Sequence, residues 1–366
     1  MQESKICFFN TTKTWGGGEK WHSEMSIQLH SAGYKVLVVT QHNSALYNKV
    51  HFYGVPCISV KLTNFSFVNP LRLYQLVKLF KDNNVETLVM NLPNDLKAAG
   101  LAARIAGVKH IIYRRGSAIA VRNTFVNRFY YGKIIHSVLA NSKATAEKIL
   151  QNNKHLIEKE KIHIVYNGLD LNDFDKIKAK RESRYNENEF IIGNIGRLVK
   201  QKAQEKLIDL AVILKKEKLP FKIVIGGDGE RKQKLQQYAK TMGVEDKIIW
   251  EGFVSDVKQF FVNIDVFVLT SLWEGFGYVL AEAMAARKPV IGFNISSNPE
   301  LIRDNENGYL IEPDNIKQLA ERLITLYHNP EKVKRFGEKG RAIVETEFTP
   351  SNTLKGFLTL VKEYEV

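Results

Sequence analysis

Short apolar runs rich in β-branched residues alternate along the chain with longer stretches whose apolar positions recur at helical spacing. Residues 5–10 (KICFFN), 35–40 (KVLVVT), 87–92 (TLVMNL), 110–114 (HIIYR) and 137–141 (SVLAN) predict buried strands. Helical patterns lie between them at 18–32, 70–82, 95–106 and 143–151. Strands that read as continuous apolar runs are covered on both faces, and their alternation with helices predicts βαβ units around a parallel sheet. The rhythm stops at 167–189, a polar stretch without an apolar stripe that reads as a connection between domains. It then resumes, with strands expected at 190–196, 221–226, 247–250, 265–270 and 289–293 and helices at 203–217, 230–242, 256–263 and 277–287. The fold class is therefore α/β, two Rossmann-like doubly wound domains, at 1–167 and 168–349. The carboxyl ends of two such sheets are expected to face a central cleft, where these folds take ligands. The tail from Pro330 is helical in period, and its last helix, about 350–366, is expected to cross back to the first domain.

Composition changes this picture in one respect. The 366 residues carry 53 Lys and Arg against 39 Asp and Glu, a net charge of +14, which points to an anionic partner. Mean hydropathy is −0.22. No apolar run is long enough for a spanning helix, and the first ten residues do not read as a signal peptide. Cys7 and Cys57 are too few for a disulfide framework and are expected as reduced core thiols, which suits a cytoplasmic location.

Three loops carry candidate chemistry. Asn10 ends the first strand, and Gly16, Gly17 and Gly18 open the first helix, where free N–H groups can meet an anion. This is neither GxGxxG nor a Walker motif. In the second half, Gly196 ends a strand and Arg197 and Lys202 follow before the next helix, two cations suited to a diphosphate. After the strand at 265–270, Glu274 lies beside Gly275, Phe276 and Gly277, and Glu282 sits on the helix that follows. Two carboxylates there suit the hydroxyls of a sugar and of a ribose. Asp173-Phe174-Asp175 reads as a solvated linker, not a metal site.

These segments, with YNGLDLNDF, IGRLVKQKAQEKLIDLA, IGGDGERKQKL, EGFVSDV and NPELIRDNENGYLIEPDN in the same order, resemble the group-4 retaining glycosyltransferases of the GT-B fold (glycosyl transferases group 1) over nearly the whole chain. The resemblance implies a nucleotide-sugar donor, a UDP-sugar first, held mainly by the second domain. It implies that Arg197 and Lys202 contact the diphosphate, Glu274 the transferred sugar and Glu282 the ribose. Gly196, Gly275, Phe276 and Gly277 line the donor site, and Gly17 and Gly18 approach it from the first domain. It further implies a reaction on the donor's own face, with no metal and no other cofactor. The sequence departs from the family at Ala203, Arg287 and Ser296, where glycine is usual. Arg115 stands in place of one loop histidine, and Asn91 or Asn94 in place of another.

Between Leu96 and Ala146 the chain has no acidic residue but holds Lys97, Arg104, Lys109, Arg114, Arg115, Arg122, Arg128, Lys133 and Lys143, with Phe125, Phe129, Tyr130 and Tyr131 among them. Arg114, Arg115 and Arg122 are acceptor-side candidates. The stretch suits peripheral contact with an anionic membrane at its cytoplasmic face, or a lipid-linked or lipopolysaccharide-core acceptor. Nucleic acid is not expected, for no recognition motif accompanies the charge. The alternative to a hexosyltransferase is a nucleotide-sugar epimerase or a phosphorylase-like enzyme on the same fold.

Overall fold

The computed structural model describes residues 5–62, 66–176, 180–186 and 188–364, apart from the side chain of Asp173. The chain forms two compact units, Met1–Asn167 with Ser351–Val366, and Gly168–Pro350.

The first unit is built on a parallel sheet of seven strands among the described residues: β1 (Lys5–Asn10), β2 (Val36–Thr40), β3 (Cys57–Ser59), β4 (Val85–Met90), β5 (His110–Arg115), β6 (Ser137–Ala140) and β7 (Ile162–Ile164), in the order β3-β2-β1-β4-β5-β6-β7. Alternate residues feed opposite faces. Cys7, Phe9, Val39, Leu88 and Met90 point to a core shared with the helix Pro70–Asp82 through Leu76 and Phe80. Ile6, Phe8, Val38 and Val89 point the other way, to Trp21 and Met25 of the helix Gly17–Ser31 and to Phe357 of the helix Pro350–Lys362. Phe357 lies 5.8 Å from Phe8 and 5.9 Å from Trp21, ring centre to ring centre, so the tail helix completes this core.

The second unit has six parallel strands among the described residues: β8 (Phe190–Ile195), β9 (Phe221–Gly226), β10 (Ile248–Gly252), β11 (Val266–Leu269), β12 (Val290–Phe293) and β13 (Gly308–Ile311), in the order β10-β9-β8-β11-β12-β13. In both sheets the first strand of the unit lies inside. The chain winds outward on one side and then returns to build the other. The order therefore reverses between β1 and β4 and between β8 and β11. At such a point the loops leaving adjacent strands run in opposite directions and open a crevice for a ligand.

Several elements differ from the sequence expectation. The helix expected over 95–106 is three pieces, Pro93–Asp95, a π-helical Leu96–Gly100 and Leu101–Ala106. A second π segment, Tyr130–Ile134, continues the helix Phe125–Phe129. The polar stretch 167–189 is not a free linker where it is described. Asp175 accepts from Arg341 at 2.7 Å, Arg181 pairs with Asp265 at 3.1 Å, and Tyr185 donates to Glu251, all within the second unit. Residues 177–179 and 187 of that stretch lie outside the described residues. Cys7 is buried and Cys57 only half so; burial pushes both thiols up, Cys57 to about 11. No described helix is long and apolar enough to cross a membrane.

Candidate active site

In the second unit the crevice between β8 and β11 is lined by two laced loops. The backbone after β8 is pinned first. Gly196 N–H donates to Gly226 at 3.0 Å, and buried Leu198 donates to Asp228 at 2.9 Å. The loop after β9 can come this close only without side chains. A Cβ on Gly227, whose φ is +127, would lie 2.0 Å from the Gly196 carbonyl oxygen. Pinning Leu198 inward turns the neighbouring Arg197 out to solvent, while Gln204 Nε2 holds its carbonyl at 3.0 Å.

The short turn Lys200–Lys202 then meets the loop after β11. Thr270 Oγ1 donates to the Lys202 carbonyl at 3.0 Å, Leu272 N–H to the Gln201 carbonyl at 2.8 Å, and Gln201 Nε2 to the Trp273 carbonyl at 2.8 Å. These backbone ties bring two charged side chains together: Lys202 Nζ lies 2.5 Å from Glu274 Oε1. Their side chains are 15% and 8% exposed. A nearly buried ion pair at a switch point is a poor source of stability, because both ions lose their hydration. It is well suited to a charged ligand that exchanges places with one partner.

Glu274 is followed by Gly277 at φ +86, which caps the helix Tyr278–Ala285 that carries half-buried Glu282. Gly275 lies in the same turn, so of the expected donor residues Gly196, Arg197, Lys202, Glu274, Gly275 and Gly277 all belong to the loops of one crevice. Phe276 does not present its side chain there. Its ring is 2% exposed and packs 5.4 Å from Phe348 and 5.7 Å from Tyr278.

The switch point of the first unit is polar and tightly bonded. Gly17 and Gly18 begin the helix Gly17–Ser31 behind Gly16, whose position supplies no side-chain cap, so its first N–H groups are free for an anion. A Cβ on Gly18 would fall 2.2 Å from Asn91 Nδ2. Across the gap between β1 and β4, Asp95 accepts from Thr11 Oγ1 at 2.5 Å and Thr11 N–H at 3.1 Å, and Asn10 Nδ2 donates to Glu19 at 2.9 Å. Burial raises the Asp95 carboxyl to about 7; Thr11 opposes that shift, and the nearby Glu19 adds to it. Sequence reasoning passed over Asp95 and Thr11. The available signal was an acid directly after a strand at the switch, just before an acid-free stretch.

The basic acceptor-side candidates separate. Arg114 is 1% exposed and is not available to an acceptor, contrary to the expectation from sequence. It donates to Asn91 Oδ1 at 2.9 Å and Asn167 Oδ1 at 2.8 Å, and its guanidinium sits 4.5 Å from the Trp21 ring centre. It clamps β4, β5 and the end of the unit together. Buried His22 beside it is held neutral, its pKa far below normal through burial and then the Arg114 charge. Arg115 is half-buried and donates to the Ile119 carbonyl at 2.7 Å; Arg122 is exposed.

Two doubly wound parallel sheets in one chain, each with its loop chemistry at the switch point, form the GT-B architecture. The Anabaena protein HepE, crystallised with UDP and glucose, has the same fold, with a TM-score of 0.83 at 21% identity over 99% of this chain and 100% of that one. The family model for glycosyl transferases group 1 matches residues 175–343, and that for glycosyltransferase family 4 matches residues 15–173. The chain belongs to the group 1 glycosyltransferase family. Among its relatives is a Staphylococcus aureus poly(ribitol-phosphate) α-N-acetylglucosaminyltransferase, 30% identical over 50% of this chain and 38% of that one. Another is a Campylobacter jejuni N-acetylgalactosaminyltransferase acting on a diphospho-undecaprenol substrate, 28% identical over 74% of this chain and 75% of that one. The first two curated relatives are matched over only 51% and 38% of their own length.

Proposed function

We propose that the protein moves a sugar from a nucleoside diphosphate sugar, a UDP-sugar first, to a lipid-linked or cell-surface polysaccharide acceptor at the cytoplasmic membrane face. Transfer proceeds with retention and without a metal or other cofactor. The observation that carries this reading is the Lys202–Glu274 pair at the switch point of the second unit, with solvent-facing Arg197 on the same loop.

Cleaving the bond between sugar and diphosphate builds negative charge on the departing phosphate. Fixed cations stabilise that charge more in the transition state than in the ground state. Arg197 offers a planar fork to the diphosphate, and Lys202 turns from Glu274 to the same group. Released from Lys202, Glu274 accepts hydrogen bonds from sugar hydroxyls, while Glu282 serves the ribose. The leaving phosphate itself takes the acceptor's proton, so attack comes from the face it vacates and no carboxylate nucleophile is needed. The relative named for a diphospho-undecaprenol substrate supports the lipid-linked class of acceptor.

Arg197→Ala is expected to lower donor turnover by roughly 10²–10³-fold with the fold intact, since its side chain is exposed. Hydrolysis of UDP-, GDP- and ADP-sugars, with and without EDTA, measures this. Full activity in Arg197→Ala, or loss of all activity in EDTA, overturns the mechanism. An inverted anomeric product overturns retention, and an epimerised sugar nucleotide from donor alone would transfer the assignment to an epimerase.

A further inference from the structure

The first unit holds a cavity of about 300 Å³ at the carboxyl ends of β4 and β5, among residues 93–97, 113–122 and 126–131. All of its lining residues belong to the first unit, and none belongs to the crevice between β8 and β11. Three cations line it, Lys97, Arg115 and Arg122, and no acidic side chain does. None of the three forms an ion pair among the described residues, whereas Lys109, on the same basic stretch, is paired with Glu86 at 3.3 Å. Unpaired cations around a concavity are a different object from a solvated basic face.

The walls have their own chemistry. The Arg115 guanidinium lies against the hydroxyls of buried Tyr113 and Tyr131 and donates to the Ile119 carbonyl, while its Nε has no partner among the described residues. A buried donor left in this state is uncommon and calls for an explanation, which an anion bound in the cavity would supply. The two π-helical segments meet here. Leu96–Gly100 carries Lys97 and Tyr130–Ile134 carries Tyr131, with Gly100 letting them close: a Cβ there would lie 3.3 Å from Leu96 and 3.4 Å from Ile134. Such π turns inside helices are frequently found at functional sites.

We propose that this cavity holds an anionic group of the acceptor, a phosphate or carboxylate borne on a compact ring, with Lys97, Arg115 and Arg122 around the charge and the tyrosines against the ring. The volume suits one ring with its substituent and is at the small end of ligand sites. The assignment of this ligand as acceptor rests on the glycosyltransferase reading.

The test is titration calorimetry of the full chain with glucose 1-phosphate, glucuronate and neutral glucose, alongside thermal shifts with UDP. Glucose 1-phosphate or glucuronate, whichever anion the site prefers, is expected to bind at least tenfold better than glucose. Arg122→Gln and Lys97→Gln are each expected to weaken that binding about tenfold, as loss of one hydrogen bond to a charged group does. Tyr131→Phe weakens it less, and Lys109→Gln not at all. Binding should survive in Arg197→Ala, which touches only the donor crevice. Equal binding of glucose, equal weakening by Lys109→Gln, or no anion binding in protein that UDP stabilises overturns the proposal. Anion binding that follows the variants, in protein that no nucleotide stabilises, supports the anion site and overturns the transferase reading instead.

Discussion

Lys202 and Glu274 are 72 residues apart in sequence and 2.5 Å apart in the fold. Each was legible as a candidate because of its loop, but their pairing was not: only the lacing of two strand-end loops brings them together. The pair makes a two-part prediction. Lys202→Met leaves a nearly buried carboxylate without its partner and should lower unfolding free energy by about 3 kcal/mol. Lys202→Met with Glu274→Gln removes the uncompensated charge and should restore most of that stability, while donor turnover stays lost in both. Urea melts and a hydrolysis assay check this, and a double variant no more stable than the single one refutes it. Residue identity misled where burial decides meaning. Arg114 read as one more cation of a basic stretch but is a buried clamp, and the ring of Phe276, in the loop expected to line the donor site, packs against Phe348 and Tyr278. The departures from family glycines were better signals. Ala203, Arg287 and Ser296 sit at φ of +47, +56 and +46, so each holds the left-handed backbone that glycine adopts without strain.

At the scale of elements, the long buried strands and amphipathic helices were readable because continuous apolar runs and 3.6-residue spacing each suit one backbone conformation and few besides. The elements missed were short or irregular. β7 is a three-residue edge strand, β13 has four residues, and the helix Ala45–Phe52 buries only Leu46 and Val50, while β3 showed itself only as a strand-like run at Cys57. The π segments break the very spacing by which a helix is recognised. What the sequence pattern could not supply is the tie between elements. Asp95, at the start of the helical run after β4, receives two hydrogen bonds from Thr11 after β1 and so fixes the width of the first unit's switch point. Burial raises its carboxyl to about 7, well above the usual carboxylate range. The folded state therefore binds a proton more readily than the unfolded state. The stabilisation is complete below about pH 4 and is lost as pH rises towards 7, with a slope of at most about 1.4 kcal/mol per pH unit. Asp95→Asn, neutral throughout, should abolish that dependence. Urea unfolding at pH 5 and pH 7.5 tests it: the wild type should lose stability relative to Asp95→Asn across this interval, and a constant difference would refute the assignment.

For the whole molecule, a net charge of +14 points to an anionic partner, and its distribution narrows which one. Part of the charge is consumed internally, at Arg114, Arg341 and Lys202, and part surrounds the cavity of the first unit. What remains near that cavity is joined by apolar surface: Phe125 is 76% exposed and Phe129 40%, on the short helix after Arg122 and beside Arg128 and Lys133. Tyr130 and Tyr131, read from sequence as part of the same surface, are instead buried and line the cavity from the core side. The membrane contact proposed above needs such a surface, for rings can enter the acyl boundary of an anionic bilayer and cations can meet lipid phosphate. Each contribution can be removed separately. Phe125→Ser deletes about 2 kcal/mol of apolar burial and should weaken binding to anionic phospholipid vesicles by about tenfold or more. Arg128→Gln should weaken it about fivefold at low salt, and less as salt rises and the Debye length shrinks. Neither side chain lines the cavity or the donor crevice, so hydrolysis of the donor in solution should not change. Vesicle flotation at two salt concentrations reads both effects. Undiminished binding in Phe125→Ser with Arg128→Gln, or no vesicle binding by the wild type, would refute a membrane contact at this face, and binding to neutral vesicles as strong as to anionic ones would show that charge does not drive it.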